Sequence, residues 1–157
     1  GVYDRLRKHD LAVAACDQFP QYEAHLPQEA VLRAIDEVRT GKIDQGLARF
    51  VTHYPAISGA VVYADTMLMA LRKMEAVDKT QRVYDLLASP ILADNVDALS
   101  LLADQAWTSG DYKRSLELCE RAESSEPDNG FLLARKARAL YGVGKQAESF
   151  ELFEKVL

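Results

Sequence analysis

Apolar residues along this chain recur at intervals of three and four. Leu99, Leu102, Ala103 and Ala106 form one stripe, and Leu116, Cys119 and Ala122, with Leu118 beside them, form a second. Leu133, Ala137, Leu140 and Tyr141 form a third, followed by Phe150, Phe153 and Leu157. On a helix this spacing gathers the side chains on one face, so each stripe predicts an amphipathic helix. No long β-branched alternating run is present, and the expected fold class is all-α. Two kinds of breaker interrupt the stripes. Thr40-Gly41-Lys42, Ser109-Gly110-Asp111 and Val143-Gly144-Lys145 each carry a glycine, which tolerates the positive φ that ends many helices. Pro20, Pro55, Pro90 and Pro127 follow one another at spacings of 35, 35 and 37. Proline lacks an amide donor and clashes with the preceding turn, so it ends one helix or opens the next. Alternating glycine and proline breaks with a period near 35 predict an internal repeat of helical hairpins. A single hairpin cannot bury its apolar face alone, so the hairpins must stack.

The unit from Val96 to Asn129 resembles a tetratricopeptide repeat. Leu99 stands at that family's Trp position, Leu102-Ala103 at its Leu-Gly pair, and Ala106 at the first-helix aromatic, with Trp107 beside it. Gly110-Asp111-Tyr112 matches the turn, Ser115, Cys119 and Ala122 match the second helix, and Pro127 closes the unit. The next unit keeps Leu133, Ala137, Leu140, Gly144, Ser149 and Phe153. Small residues at 103, 115, 137 and 149 allow axes roughly 8–10 Å apart, and Phe153 is expected to fill the gap between layers. Upstream the match loosens. Residues 27–58 keep Ala34, Gly41, Gly46 and Phe50, but Arg33 and Glu37 replace the expected Leu and Tyr. Segment 62–90 has no turn glycine; Ala76-Val77-Asp78 is the expected turn, with Met69-Ala70 at the Leu-Gly pair and Leu86 at the second-helix aromatic. The resemblance implies a right-handed superhelix, an α-solenoid of stacked antiparallel hairpins. It forms one repeat domain over 1–157, with units at about 1–26 (partial), 27–61, 62–95, 96–129 and 130–157 (truncated).

Composition narrows the function. The 157 residues carry 19 Lys+Arg against 24 Asp+Glu, a net charge of −5 spread evenly along the chain. No basic nucleic-acid footprint is present. No run of 18 apolar residues predicts a transmembrane helix, and no signal peptide is visible. The chain starts at Gly1-Val2 and stops at Val156-Leu157 inside a helical pattern, which reads as a soluble piece of a longer protein, cytoplasmic or periplasmic. Cys16 and Cys119 read as small core residues rather than a disulfide framework.

Catalytic chemistry finds no foothold. Gly142-Val143-Gly144-Lys145 lacks the spacing of a phosphate loop. His9, His25, His53 and Cys16 lack zinc-ligand spacing. Asp36-Glu37, Glu117-Glu120 and Glu148-Glu151-Glu154 read as charged helix faces. No enzyme activity, cofactor or metal is expected.

In tetratricopeptide arrays the first helices line a concave face, and this implies a set of partner-binding positions. Met74, Trp107 and Tyr141 fall one residue after the first-helix core position; they either pack between hairpins or line a peptide groove. Asp97, Ser100 and Asp104 of one unit precede Arg135 and Arg138 of the next. Asp104 and Arg138 occupy equivalent positions, so they pair, present opposite charges to a ligand, or are merely solvated. The Lys, Asn and Arg set of chaperone-binding dicarboxylate clamps is missing. The sequence thus predicts a non-catalytic scaffold that binds a protein or peptide in the groove. Three alternatives are a structural spacer in a larger secretion- or envelope-associated protein, a module that dimerises end to end, and a regulatory domain of an enzyme encoded outside this chain.

Overall fold

The computed structural model describes Leu11, Ala14, Asp17, Gln18 and residues 20–157. The segment 2–19, with His9 and Cys16, therefore lies largely outside the described residues. The described residues form eight α-helices and four short 3-10 turns, with no strand among them. The helices are α1 (Pro27–Arg39), α2 (Ile43–His53), α3 (Val61–Lys73), α4 (Gln81–Leu87), α5 (Val96–Thr108), α6 (Tyr112–Ser125), α7 (Gly130–Gly142) and α8 (Gln146–Val156). The expected all-α class is what the described residues adopt. The chain divides into two compact units that meet in sequence between Leu86 and Leu87.

Four turns set the rhythm. Gly41, Gly110 and Gly144 have φ of 93°, 82° and 87°, and the fourth member, Glu75, has φ 58°. At each turn two amides close the helix end in the same way. Gly110 N donates to Trp107 O and Asp111 N to Ala106 O; the pairs at 41/42, 75/76 and 144/145 repeat that pattern. These bonds satisfy carbonyls that a helix end otherwise leaves open. The turn residues are spaced 34, 35 and 34 apart, so the helical-hairpin period of the sequence is a period of the backbone. The turn in the second hairpin is Glu75, not Ala76-Val77-Asp78. Counting from Glu75 moves the register: Met67 and Leu68, both fully buried, take the places expected for Met69 and Ala70, and Met69 is exposed. Tyr84, buried, takes the place expected for Leu86. A charged residue in the left-handed region hid this turn from a search for glycine.

In the unit up to Leu86, α1 packs on α2 and on α3. Its core holds Val31, Ile35, Val38, Leu47, Phe50, Met67, Leu68 and Leu71. Phe50 stacks on Tyr54 with ring centroids 4.9 Å apart. The Tyr54 hydroxyl donates to Ser58 O, and burial pushes its pKa up to about 12. Gly46 faces Ala34 across the α1–α2 hairpin so closely that a Cβ on Gly46 would sit 2.5 Å from Ala34 O.

Arg33 and Glu37, where the family pattern breaks, are part of one ionic cluster. Glu37, 8% exposed, accepts from Arg49 Nε at 3.0 Å and Nη2 at 3.1 Å, and from Gln45 Nε2 at 3.0 Å. Arg33 Nε stands 3.5 Å from the same carboxylate. Arg49 also donates to Glu23 of the 3-10 turn Pro20–His25, and Arg33 pairs with Asp17. Burial opposes the Arg49 charge, but the bonds to Glu37 and Glu23 outweigh it and raise its pKa.

In the unit from Leu87, α5–α6 and α7–α8 are hairpins, with α7 packed on both α6 and α5. Side chains of Asn95, Asp111 and Asn129 accept from Ala98 N, Arg114 N and Leu132 N, capping α5, α6 and α7. The expected small positions lie at the hairpin crossings. The hydroxyl of Ser115 donates to Ala103 O at 2.9 Å, and that of Ser149 to Ala137 O at 2.7 Å. Leu116, Ala139 and Leu140 bury together, with Val143 and Leu152 against them. Each leucine so buried contributes about 1.5–3 kcal/mol.

Candidate functional site

Four of the eight expected partner-binding residues, Asp104, Trp107, Arg135 and Arg138, meet where α5 and α7 pack. On α5, Asp104 and Trp107 are one turn apart; on α7, Arg135 and Arg138 are likewise three residues apart. That spacing puts each pair on one helix face. The single Asp104 carboxylate serves both arginines. Arg135 Nε donates to Oδ1 at 3.2 Å and Oδ2 at 3.0 Å, and Arg138 Nη2 donates to Oδ1 at 2.6 Å. Of the three readings of Asp104 and Arg138, the structure shows the pairing one. Arg138 also lies over the Trp107 ring, with Cζ 4.8 Å from the centroid. Its Nε is buried without a hydrogen-bond partner. Tyr112 also packs on Trp107, with ring centroids 4.6 Å apart and the planes tilted by 48°. The absence of a side chain at Gly142 makes room for this pair, since a Cβ there would meet Tyr112 Cγ at 2.6 Å and Trp107 Cζ3 at 2.9 Å.

The remaining expected residues are dispersed. Ser100 is half-buried on α5 and Asp97 is exposed in its first turn. Tyr141 is half exposed and meets Phe150 edge-on at 6.3 Å. Met74 does not belong with them. It caps the C-terminal end of α3 in the other unit. Counted from the positive-φ residue, the position of Trp107 and Tyr141 falls on Arg72, whose guanidinium donates to the Tyr84 hydroxyl. The Met74 expectation was displaced by the same hidden turn at Glu75.

Beside the arginines the structure opens a recess of about 370 Å³ lined by Asp104, Phe131, Ala134, Arg135, Arg138 and Phe153. Phe131 is 83% exposed and Phe153 36%. Phe153 thus lines the recess instead of filling a closed layer. Phe131 was missed in the sequence because it lies outside the three-and-four stripes of α7. It sits in the first turn, directly after Gly130.

Charge at this junction is unequal. Two guanidinium groups share one carboxylate, and the amino groups of Arg135 make no hydrogen bond among the described residues. Lys136, the next cation, is paired with Glu123. Cys119 lies buried nearby; burial first, then the Asp104 charge, push its pKa up to about 11, which keeps the thiol protonated. Among the described residues no group of three or more His, Cys, Asp or Glu could hold a metal ion. No helix among them is long and apolar enough to cross a membrane. Comparison with protein-family models, curated proteins and solved structures found no match to this chain.

Proposed function

We propose that this chain is a non-catalytic scaffold that holds a protein segment along the α5–α7 side of the unit from Leu87. In this reading its hairpins are tetratricopeptide-like units of a right-handed superhelix, and α5 and α7 line the inner face. Backbone turns at spacings of 34, 35 and 34 support the repeat. The observation that carries the binding assignment is the juxtaposition of two arginines sharing one carboxylate with an open recess and an 83% exposed phenylalanine. Binding surfaces favour large aromatic contacts and arginine, and extended segments dock through many modest contacts of this kind.

The test is selection of random twelve-residue peptides displayed on phage against the immobilised chain. Trp107 is the chain's sole tryptophan, so its emission locates the occupied site. Retained peptides are expected to shift that emission and to lose about tenfold in affinity on Arg138→Ala, a loss of roughly 1.4 kcal/mol. Retained peptides that leave the emission unmoved and bind the Arg138→Ala chain equally would overturn the assignment, as would the absence of any retained peptide.

A further inference from the structure

Resting on that scaffold reading, we infer the chemistry of the segment: it places an acidic side chain, Asp or Glu, beside a large apolar side chain. The carboxylate meets Arg135 and Arg138 while the apolar group enters the recess between Phe131 and Phe153. Three observations lead there. First, charge does not balance at the junction. Asp104 offers one negative charge to two guanidinium groups, leaving one positive charge, and Lys136, between them in sequence, already has Glu123. Second, the donors remain available. Arg135 uses only Nε and Arg138 only Nη2 on Asp104, and their side chains are 32% and 39% exposed. A planar guanidinium fork binds a second carboxylate well, because two parallel N–H donors match its two oxygens. Third, the guanidinium groups share their recess with Phe131, Ala134 and Phe153. An apolar group there would shed water from the phenylalanine rings and lower the local dielectric around the ion pair, strengthening it.

Asp104 gives the inference its sharpest consequence. It competes with an incoming carboxylate for the same two arginines. Removing its charge while keeping its acceptor oxygen, as in Asp104→Asn, should therefore tighten binding of an acidic ligand. A residue needed only to hold α7 against α5 would do the opposite.

The probes are three capped peptides, acetyl-Gly-Phe-Glu-Gly-amide, its Phe-Gln counterpart and its Ala-Glu counterpart, titrated into the full 157-residue chain. Binding is read from the Trp107 indole and arginine Nε–H resonances in 15N spectra. The Phe-Glu peptide is expected to bind at least about fivefold more tightly than either counterpart. Asp104→Asn is expected to tighten it about threefold or more, and Arg135→Gln with Arg138→Gln to erase the preference for Glu over Gln. Phe131→Ala, at a side chain too exposed to support the fold, should erase the preference for Phe over Ala. Equal affinity for Phe-Glu and Phe-Gln at these resonances would overturn the acidic specificity and leave the scaffold reading standing. Weakening by Asp104→Asn would overturn it too. If none of the three peptides moves these resonances, the inference fails, and the phage selection judges the scaffold reading on its own.

Discussion

The first hairpin and the two in the unit from Leu87 share a backbone design and fill its interior differently. Where α5 crosses α6 and α7 crosses α8, a serine hydroxyl bonds the facing alanine carbonyl. Where α1 crosses α2, Gly46 leaves no space for even a Cβ against Ala34 O. Leu102 and Ala106 are buried apolar residues of α5, but their counterparts on α1 are Arg33 and Glu37, in an ionic cluster with Arg49. Side chains cap α5, α6 and α7, while Leu26, Lys42 and Ala60 give α1, α2 and α3 no such bond. A common chain path can therefore rest on apolar packing and caps in one place, and on closer backbone approach and buried charge in another.

The contrast can be broken most severely at the first crossing. Gly46→Ala should cost about 3 kcal/mol or more, since backbone atoms must separate. Ser115→Ala, at the matching position on α6, should cost about 1 kcal/mol for the lost hydrogen bond. Urea denaturation of both variants measures the gap, and equal losses would contradict the closer α1–α2 approach. Next is Glu37→Gln. Arg49 keeps Glu23 but loses its charged bonds to Glu37, which should destabilise by about 2 kcal/mol, and thermal unfolding with and without added salt would read it. A change below about 0.5 kcal/mol would show that the cluster is solvated and idle.

These two experiments also mark what could be read in the chain beforehand. Stripes at three and four residues reveal helices because burial needs one face, and glycines reveal turns because few other residues adopt positive φ cheaply. The hairpins of the last sixty residues were legible for that reason. Arg33 and Glu37 looked like failures of the pattern because their partners Asp17 and Arg49 come from other segments. Glu75 was invisible because its backbone conformation depends on the helix end, not on its side chain. At the candidate site the pairing of Asp104 with Arg138 was foreseen as an alternative. The second claim on Asp104 by Arg135, and the recess at Phe131, needed the helices docked.

A smaller change would sharpen the contrast by transferring a cap. Lys42 and Asp111 precede α2 and α6 with nearly the same backbone, φ −85° and ψ 58° against φ −85° and ψ 70°. Lys42→Asp should therefore stabilise by about 1 kcal/mol, through an accepted amide bond and a favourable charge at the helix start. Glu75→Gly should give about 0.5 kcal/mol, as relief of the left-handed backbone is partly offset by a more flexible unfolded chain. Both are read as shifts in melting temperature. Lower melting temperatures would mean that these ends are held by something other than local geometry.

The smallest expected effect is pH-dependent. The hydrogen bond and charge of Lys79 lower the Asp44 pKa. A lowered folded-state pKa stabilises at pH above the unfolded value and is lost as pH falls through the folded one. Asp44→Asn should therefore lower the melting temperature slightly at neutral pH and make no difference in strong acid. An equal difference at both pH values would show that Asp44 acts through something other than this ion pair.

The gap between Gly46 and Ala34 O bears on how freely such hairpins can be exchanged. Recombination of repeats works as cut and paste only if every second helix fits every first helix. Here a graft of α6 behind α1 would bring Ser115 to a place with no room for its Cβ, and the reverse graft would remove a donor from Ala103 O. The first hairpin shares its turn with the two from Leu87, yet its helices are keyed to each other, whereas α6 and α8 carry serine opposite alanine at the same place and meet no such bar, so exchange by single helices stops at the first hairpin.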